Sequence, residues 1–262
     1  MAKMVMNIDQ IREQEKKLFD IQCVPSLIVM ESAARAVTET ICGDFPNGGR
    51  CLVLCGGGNN GGDGFALGRQ LAVLGWRLWV AGLGTGKGRS QDAATMLAAL
   101  EGSGVPVMQI VQEDDWEKYM TQLPAMDVIV DAVFGIGLNR TLSPFYQKVF
   151  RDVNRLPGKV YAVDIPSGVD ADSGKLWGEA IRADRTVTFF AAKPGLLLYP
   201  GRFHGGEIRV AALQGNDNHE AEKLWMEPED LTKLLPPRKK DAHKGDFGHG
   251  LLIGGSVGMA GA

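Results

Sequence analysis

Short apolar runs alternate with amphipathic helical patterns along most of this 262-residue chain. The runs are nearly continuous in apolar residues, as expected for strands buried on both faces. They predict seven strands: Cys51–Cys55, Leu78–Ala81, Val105–Ile110, Asp127–Asp131, Lys159–Asp164, Arg185–Phe190 and Glu207–Val210. The helical patterns between them are Gly64–Leu74, Ser90–Leu100, Asp114–Leu123 and Pro144–Leu156. Because parallel strands are joined by helical crossovers, this alternation predicts an α/β fold, with a doubly wound, mostly parallel sheet and helices on both faces: a Rossmann-like three-layer sandwich.

Two further helices are predicted in front of the first strand, as an N-terminal helical extension. Asn7 is a suitable N-cap for the first, and Ser26 for the second, which Gly43 would end. Apolar residues that we expect to be exposed on these helices could pack against a second copy of the chain and form a homodimer: Leu18, Phe19, Leu27 and Ile28.

Charge and composition exclude several classes of protein. The chain carries 28 Lys and Arg against 31 Asp and Glu, a net charge of −3. This balance argues against a nucleic-acid or membrane-surface binder, which usually has excess positive charge.

No apolar stretch reaches the roughly 18 residues of a membrane helix, and Met1–Arg12 contains no signal-peptide core, so we expect a cytoplasmic protein. No cysteine pair has CxxC spacing, which argues against a zinc site and favours buried free thiols.

The C-terminal part of the sequence lacks the alternation of apolar runs and helical patterns seen in the rest. We assign residues 1–220 to the α/β domain and residues 221–241 to a linker, because Leu235–Lys240 is stiff and basic. Residues 242–262 contain one strand-like run and a glycine-rich loop, which is too little for a domain. We interpret them as the truncated start of a second domain; a strand or tail that docks on the first domain is the alternative.

The first strand leads into a glycine-rich segment, Gly56–Gly64, which contains the pattern GxGxxG. Such a segment can present backbone N–H groups and a helix N-terminus to a phosphate. Dinucleotide-binding dehydrogenases also carry an acidic residue after the second strand, to bind the ribose. Here that position is Ala81–Gly84, which contains no acid, so NAD-dependent hydride transfer is disfavoured.

Polar side chains follow four of the predicted strands at their carboxyl ends, where ligands bind in such sheets. They are Asn60, Asp63, Asp131, Asp164, Ser167 and Lys193. Together they predict one crevice with oxygen ligands for a hard cation and with a candidate acid/base pair. The four histidines lie in loops or in the tail, away from these strand ends, and we expect them to be solvated.

Four segments in this order carry a resemblance to a known family: NNGGDG (59–64), DAVFGIGL (131–138), VDIPSGVD (163–170) and FFAAKPG (189–195). Over roughly residues 5–215 the chain resembles the NAD(P)H-hydrate epimerases, the YjeF N-terminal domain family. Residues 243–262 resemble the opening of the ADP- or ATP-dependent NAD(P)H-hydrate dehydratases, which are ribokinase-like domains. The dehydratase active site would lie beyond Ala262, so we expect no dehydratase activity from this chain.

The resemblance implies that the chain interconverts the R and S epimers of NAD(P)HX, a nicotinamide cofactor hydrated at C6, and that a longer parent protein also dehydrates the S epimer with ADP or ATP. It implies substrate contacts by Asn59, Asn60, Gly61, Gly62 and Asp63, and near the hydrated ring by Asp164. It implies a phosphate cradle formed by Gly135, Ile136, Gly137, Leu138, Asn139, Arg140 and Thr141. It also implies a potassium ion held by Asn60, Asp131 and Ser167.

Our hypothesis for catalysis is that Asp164 is the general acid/base and Lys193 its charge partner or proton relay. The alternative function is a nucleotide-binding module without turnover, which the same motifs would serve.

Overall fold

A computed structural model describes residues 3–213, 223–234, 241–247 and 250–251 of the chain. The chain divides into two compact units, one from Lys3 to Trp225 and one that begins at Met226. The first unit contains all the strands and helices that the sequence predicts up to residue 210.

The first unit contains nine strands and six α-helices among its described residues. The strands are β1 (Lys3–Val5), β2 (Arg50–Cys55), β3 (Arg77–Leu83), β4 (Val107–Ile110), β5 (Val128–Ala132), β6 (Lys159–Val163), β7 (Arg185–Phe189), β8 (Glu207–Ala211) and β9 (Lys223–Trp225). The helices are α1 (Ile8–Lys16), continued by a π-helical turn (Lys17–Ile21), α2 (Ser26–Asp44), α3 (Asn59–Val73), α4 (Gln91–Gly102), α5 (Glu113–Gln122) and α6 (Pro144–Val153).

Seven strands form one parallel sheet in the order β4-β3-β2-β5-β6-β7-β8. These are the seven predicted strands, so the doubly wound α/β fold is confirmed. The chain runs outward from β2 in one direction and from β5 in the other, so the strand order reverses between these two neighbours. A crevice opens at such a reversal, at the carboxyl ends of the strands.

The core lies on both faces of the sheet, because alternate residues of a strand point to opposite faces. On one face Cys51, Val53 and Cys55 of β2 pack against α2, α3 and α4. On the other face Leu52 and Leu54 pack against α5 and α6. All five side chains are fully buried, which accounts for the nearly continuous apolar sequence of this strand.

The glycine-rich segment after β2 is not the loop that the sequence predicts, because α3 begins at Asn59 and not at Gly64. Its glycines serve close packing. A Cβ atom added to Gly61 would lie 1.9 Å from the carbonyl oxygen of Gly56, and one on Gly62 would lie 2.6 Å from Sδ of Met30. The first turn of α3 therefore fits against its surroundings only without side chains at these two positions.

The N-terminal extension consists of the two predicted helices and of a strand that the sequence did not predict. The Asn7 side chain caps α1 by accepting a hydrogen bond from the Gln10 N–H at 2.9 Å. β1 pairs antiparallel with β9 in a separate two-stranded sheet. Each of these strands has three residues, which is too short for the alternation of apolar and polar residues to be recognised in the sequence. The expectation that Leu18 is exposed is wrong: it is 3% exposed and packs into the chain's own core.

The second unit is described in part. It contains a short helix α7 (Pro228–Leu234) and a 3-10 turn (Lys244–Phe247). The predicted strand-like run and the glycine-rich end, from residue 252 onward, lie outside the described residues. Within the segment predicted as a linker, β9 belongs to the first unit, and the division of the chain at residues 220 and 241 stays a prediction.

Three smaller expectations have mixed outcomes. Cys51 and Cys55 are buried free thiols, whereas Cys23 is exposed. His204 is buried, with Nδ1 2.9 Å from the carbonyl oxygen of Ile181, so the expectation of a solvated side chain is wrong for it. None of the helices in the described parts of the chain is both long and apolar enough to span a bilayer.

The junction between β2 and β5 gives a test of this packing. A Cβ atom on Gly56 would lie 2.0 Å from the carbonyl oxygen of Val133, whereas one on Gly57 would meet nothing within 4 Å. We expect Gly56→Ala to lower the free energy of unfolding by about 1–3 kcal/mol, because backbone must move to admit the methyl group. Gly57→Ala, the matched control, should change it by less than about 0.5 kcal/mol. Urea denaturation followed by circular dichroism measures both, and equal effects of the two substitutions would contradict the packing.

Candidate active site

A cavity of about 530 Å³ lies at the carboxyl ends of the central strands. Its walls come from the segments that follow β2, β5, β6 and β7 and from the N-terminal helices. The lining includes Ile11, Arg12, Glu15, Phe19, Asn59, Asn60, Asp63, Asp92, Gly135, Ile136, Gly137, Leu138, Asn139, Arg140, Asp164, Phe189, Phe190 and Lys193. Most of the side chains predicted from the strand ends thus meet around one space.

Five of the predicted site residues do not line the cavity. Gly61 and Gly62 are buried within the first turn of α3, and Thr141 is exposed. Asp131 and Ser167 are both fully buried. Phe134 connects them to the cavity, because its N–H donates to the Ser167 hydroxyl and Phe134 itself lines the cavity.

Asp131 and Ser167 form a compact buried group. Asp131 Oδ2 accepts a hydrogen bond from the backbone N–H of Ser167 at 2.7 Å, and Oδ1 accepts one from the Ser167 hydroxyl at 2.5 Å and one from the Val133 N–H at 3.3 Å. Burial raises the pKa of Asp131 to about 6, although these hydrogen bonds act in the opposite direction. In the described part of the chain, no Lys, Arg or His forms an ion pair with this carboxylate.

Asn60 extends this group toward the cavity. The N–H of Phe134 donates to the Ser167 hydroxyl oxygen at 2.8 Å, and a Cβ atom on the next residue, Gly135, would lie 3.3 Å from Asn60 Oδ1. The side chain of Asn60 is buried, and its Nδ2 atom has no hydrogen-bond partner among the described residues. A buried, unsatisfied amide costs free energy unless a ligand completes it.

Asp164 and Lys193 form a buried ion pair beside the cavity, in which Nζ of Lys193 contacts Oδ1 of Asp164. The ammonium also donates to the Thr188 hydroxyl at 2.7 Å and to the Phe189 carbonyl at 2.9 Å. Its three donors are therefore all used. Lys193 is 1% exposed, so the pair lies away from bulk water.

Only one oxygen of the Asp164 carboxylate is occupied. Oδ1 accepts from Lys193, from the Thr188 hydroxyl at 3.2 Å and from the Phe189 N–H at 3.4 Å, whereas Oδ2 receives no hydrogen bond from the described residues. The backbone of Asp164 has a φ of +68°, a left-handed conformation that is uncommon outside glycine. Strain of this kind is typical of positions where a functional side chain is held in place.

Four carboxylates line the cavity, Glu15, Asp63, Asp92 and Asp164, and sequence reasoning missed Glu15 and Asp92. Glu15 lies on α1, and Asp63 on the first turns of α3. Burial and the nearby charges of Asp164 and Glu15 raise the pKa of Asp63 well above its usual range. The spacing of α1 could have indicated Glu15, because it stands between Ile11 and Leu18 in the stripe that helical periodicity assigns to the core.

Comparison with known proteins reveals clear similarities. A family model described as "YjeF-related protein N-terminus" matches residues 26–195. The bifunctional NAD(P)H-hydrate repair enzyme of Thermofilum pendens is 35% identical over 98% of this chain and 49% of its own length, and that of Escherichia coli K12 is 33% identical over 97% and 48%. The chain thus spans about half the length of these relatives.

A shorter relative and a solved structure match at closer to full length. The NAD(P)H-hydrate epimerase of Limosilactobacillus fermentum is 33% identical over 80% of this chain and 97% of its own length. The crystal structure of the yeast protein YNL200c has a TM-score of 0.63 and 25% sequence identity, over 73% of this chain and 82% of the yeast chain.

The buried ion pair can be tested by removing its cation. We expect Lys193→Met to lower the free energy of unfolding by about 3–5 kcal/mol, because Asp164 would keep a charge with no partner. The double variant Lys193→Met/Asp164→Asn should recover part of that loss, since no charge is left. Lys17→Met removes the exposed ion pair with Glu13 and should leave stability nearly unchanged, because solvent screens exposed charges. Urea denaturation measures all three variants; a double variant less stable than Lys193→Met would contradict the pairing.

Proposed function

The chain belongs to the family of YjeF-related protein N-terminal domains, and from that membership we propose that it interconverts the R and S epimers of hydrated NADH and NADPH, a cofactor repair reaction. The relative called NAD(P)H-hydrate epimerase supports this proposal most directly, because the match covers 97% of that protein. The observation that carries it is the Asp164 carboxylate beside the cavity, with one oxygen fixed by Lys193 and the other receiving no hydrogen bond from the described residues.

A longer parent protein would carry a second activity. The relatives called bifunctional repair enzymes are about twice as long as the part that this chain matches. For such a parent we propose dehydration of the S epimer with ADP or ATP, in a domain that residues 242–262 would begin. Location in the cytoplasm stays a prediction.

The chemistry of the proposed substrate suits this site. C6 of the hydrated nicotinamide ring carries a hydroxyl group and is bonded to the ring nitrogen. When the hydroxyl accepts a proton it leaves as water, and the nitrogen lone pair forms a double bond to C6, which becomes planar. Water can then add to the opposite face and release a proton. The protein needs a group that gives and takes protons at this oxygen, and Asp164 Oδ2 is the candidate.

Lys193 acts in this proposal as the charge partner of Asp164 and not as a proton relay. Its three N–H donors are bound to Asp164, Thr188 and Phe189, so none is left for the substrate. The buried ammonium contacts Oδ1 and so holds the Asp164 carboxylate in one orientation beside the cavity.

The phosphates of the dinucleotide would bind where backbone donors face the cavity. Helix α3 begins at Asn59 with no side-chain cap, and the N–H groups of a helix N-terminus favour anions. Residues 135–140 form part of the cavity lining, and Arg140 adds a positive charge. This arrangement supports the predicted roles of both segments in substrate binding.

The group of Asn60, Asp131 and Ser167 suits a potassium ion. Asp131, which has no cation partner among the described residues, supplies a carboxylate with one negative charge, and Ser167 and Asn60 supply a hydroxyl and an amide oxygen. The amide of Asn60 can turn its oxygen toward a cation. Among the described residues there is no cluster of three or more His, Cys, Asp or Glu, as a site for a more highly charged metal ion often has. A bound potassium ion would neutralise Asp131 and link the ends of β2, β5 and β6.

The proposed acid/base can be tested by Asp164→Asn. The variant should lose about 10²–10⁴-fold in epimerisation rate, because the amide cannot exchange protons in this way. Chromatography of the R and S forms, starting from one pure epimer, measures the rate against a sample without protein. Asp170→Asn, in the same segment, should keep most of the activity because Asp170 does not line the cavity. A wild-type chain that binds the dinucleotide without changing the epimer ratio would instead favour a binding module.

The cation site can be tested by stability. Replacing potassium chloride with tetramethylammonium chloride at equal ionic strength should lower the thermal midpoint of the wild-type chain. A site occupied at ten times its dissociation constant contributes about 1.4 kcal/mol. Asp131→Asn should abolish this dependence, whereas Asp127→Asn, just before the other end of the same strand, should keep it. Equal stability of the wild type in the two salts would overturn the site.

A further inference from the structure

One carboxylate interrupts the buried stripe of the N-terminal helix. Ile11 and Leu18 are 2% and 3% exposed and both pack into the interior. Glu15 is four residues after Ile11 and three before Leu18, so it lies on the same helix face. An apolar residue is expected at such a position, because burial of a carboxylate is costly. Glu15 therefore occupies a place that packing alone does not explain.

The Glu15 carboxylate lines the cavity and has no partner to justify its burial. It is half-buried and makes no hydrogen bond or ion pair with the described residues. Burial, and then the negative charge of Asp164, raise the pKa of Glu15, while the charges of Lys193 and Arg12 act in the opposite direction. Asp63 is the fourth ionisable group near it. Glu15 is thus close enough to Asp164 and Lys193 to share their electrostatic environment.

The backbone holds Glu15 in a fixed relation to the Asp164–Lys193 pair. The N–H of Met6 donates to the carbonyl of Ala192 at 3.0 Å, and the N–H of Ala192 donates to the carbonyl of Met4 at 2.9 Å. Ala192 directly precedes Lys193 in the chain. The N–H of Ile8, at the start of α1, donates to Asp172 Oδ1 at 2.8 Å. The helix that carries Glu15 is therefore tied to the segment that carries Lys193.

Inversion at C6 requires proton transfer on two faces of the ring. The hydroxyl leaves from one face, and water adds from the other, so a single carboxylate on one side cannot serve both steps directly. Asp164 reaches the cavity from a strand end, and Glu15 reaches it from α1.

From this arrangement we infer that Glu15 is the second acid/base of the site, acting on the ring face opposite Asp164. The inference rests on the proposed epimerase function. Glu15 precedes residues 26–195, so it lies outside the part that the family model matches.

The two residues exchange roles between the two directions. In one direction Asp164 gives its proton to the C6 hydroxyl, which leaves as water, and the ionised Glu15 takes a proton from the water that adds to C6 on its side. In the reverse direction Glu15 gives the proton and Asp164 takes one. One water is lost and one is gained in each turnover, and the protons balance once the two carboxyl groups exchange protons with solvent.

Oxygen exchange distinguishes this role from a structural one. With each pure epimer in ¹⁸O-labelled water, the wild-type chain should incorporate label as it epimerises. Glu15→Gln should epimerise about 10²–10⁴-fold more slowly, yet still exchange the hydroxyl oxygen of the one epimer whose hydroxyl faces Asp164. Asp164→Asn should exchange the hydroxyl oxygen of the other epimer, whose hydroxyl faces Glu15. The inference requires that each variant exchange oxygen in one epimer only, and that the two variants differ in which epimer it is.

Controls separate the possible failures. Glu13→Gln, on the exposed side of the same helix, should match the wild type in both rates. Glu15→Asp, which keeps the carboxylate, should recover part of the lost rate if Glu15→Gln folds poorly. Normal epimerisation by Glu15→Gln, or equal loss of exchange from both epimers, would overturn the role of Glu15. A wild-type chain without turnover would instead overturn the proposed function.

Discussion

The parallel alignment of β2, β5, β6 and β7 places the polar groups of the cavity. Parallel neighbours end at the same edge of a sheet, so residues that follow these strands meet although they are far apart in the chain. The reversal of strand order between β2 and β5 opens a space at that edge. Close packing of Gly56 against Val133 keeps the two strand ends together at the floor of this space.

The same edge carries charges that the fold must accommodate. Asp131 is stabilised by hydrogen bonds from Ser167 and Val133, and Asp164 by Lys193 and Thr188. These buried groups contribute less to stability than apolar residues of similar size would. Glu15 receives no such compensation from the part of the chain that the structure describes, and contact with a ligand would explain its half-buried carboxylate. The groups that are costly to the fold are therefore the ones that the proposed reaction uses.

Much of this arrangement could be predicted from the sequence. The apolar runs indicate the seven strands because a parallel sheet is buried on both faces. Asp131, Asp164 and Lys193 could be predicted from their positions at or after the carboxyl ends of strands. The start of α3 could not be predicted, because Gly61 and Gly62 favour a loop locally and only the close approach of Gly56 and Met30 explains them. The pairing of β1 with β9 joins two segments that lie far apart in the chain, so no local pattern predicts it. Glu15 was missed because a single acidic residue within an apolar stripe only weakens the helix pattern. Its position on the cavity becomes apparent once the structure is known.

The most direct test of the account is a crystal structure of the Asp164→Asn variant with hydrated NADPH and thallous ions, which replace potassium and scatter anomalously. We expect C6 of the hydrated ring to lie within about 3–3.5 Å of the side chains at positions 164 and 15, on opposite faces of the ring. The pyrophosphate should lie on the first turn of α3, and the anomalous peak among Asn60, Asp131 and Ser167. A dinucleotide bound outside the cavity, or a ring turned away from position 164, would contradict the account.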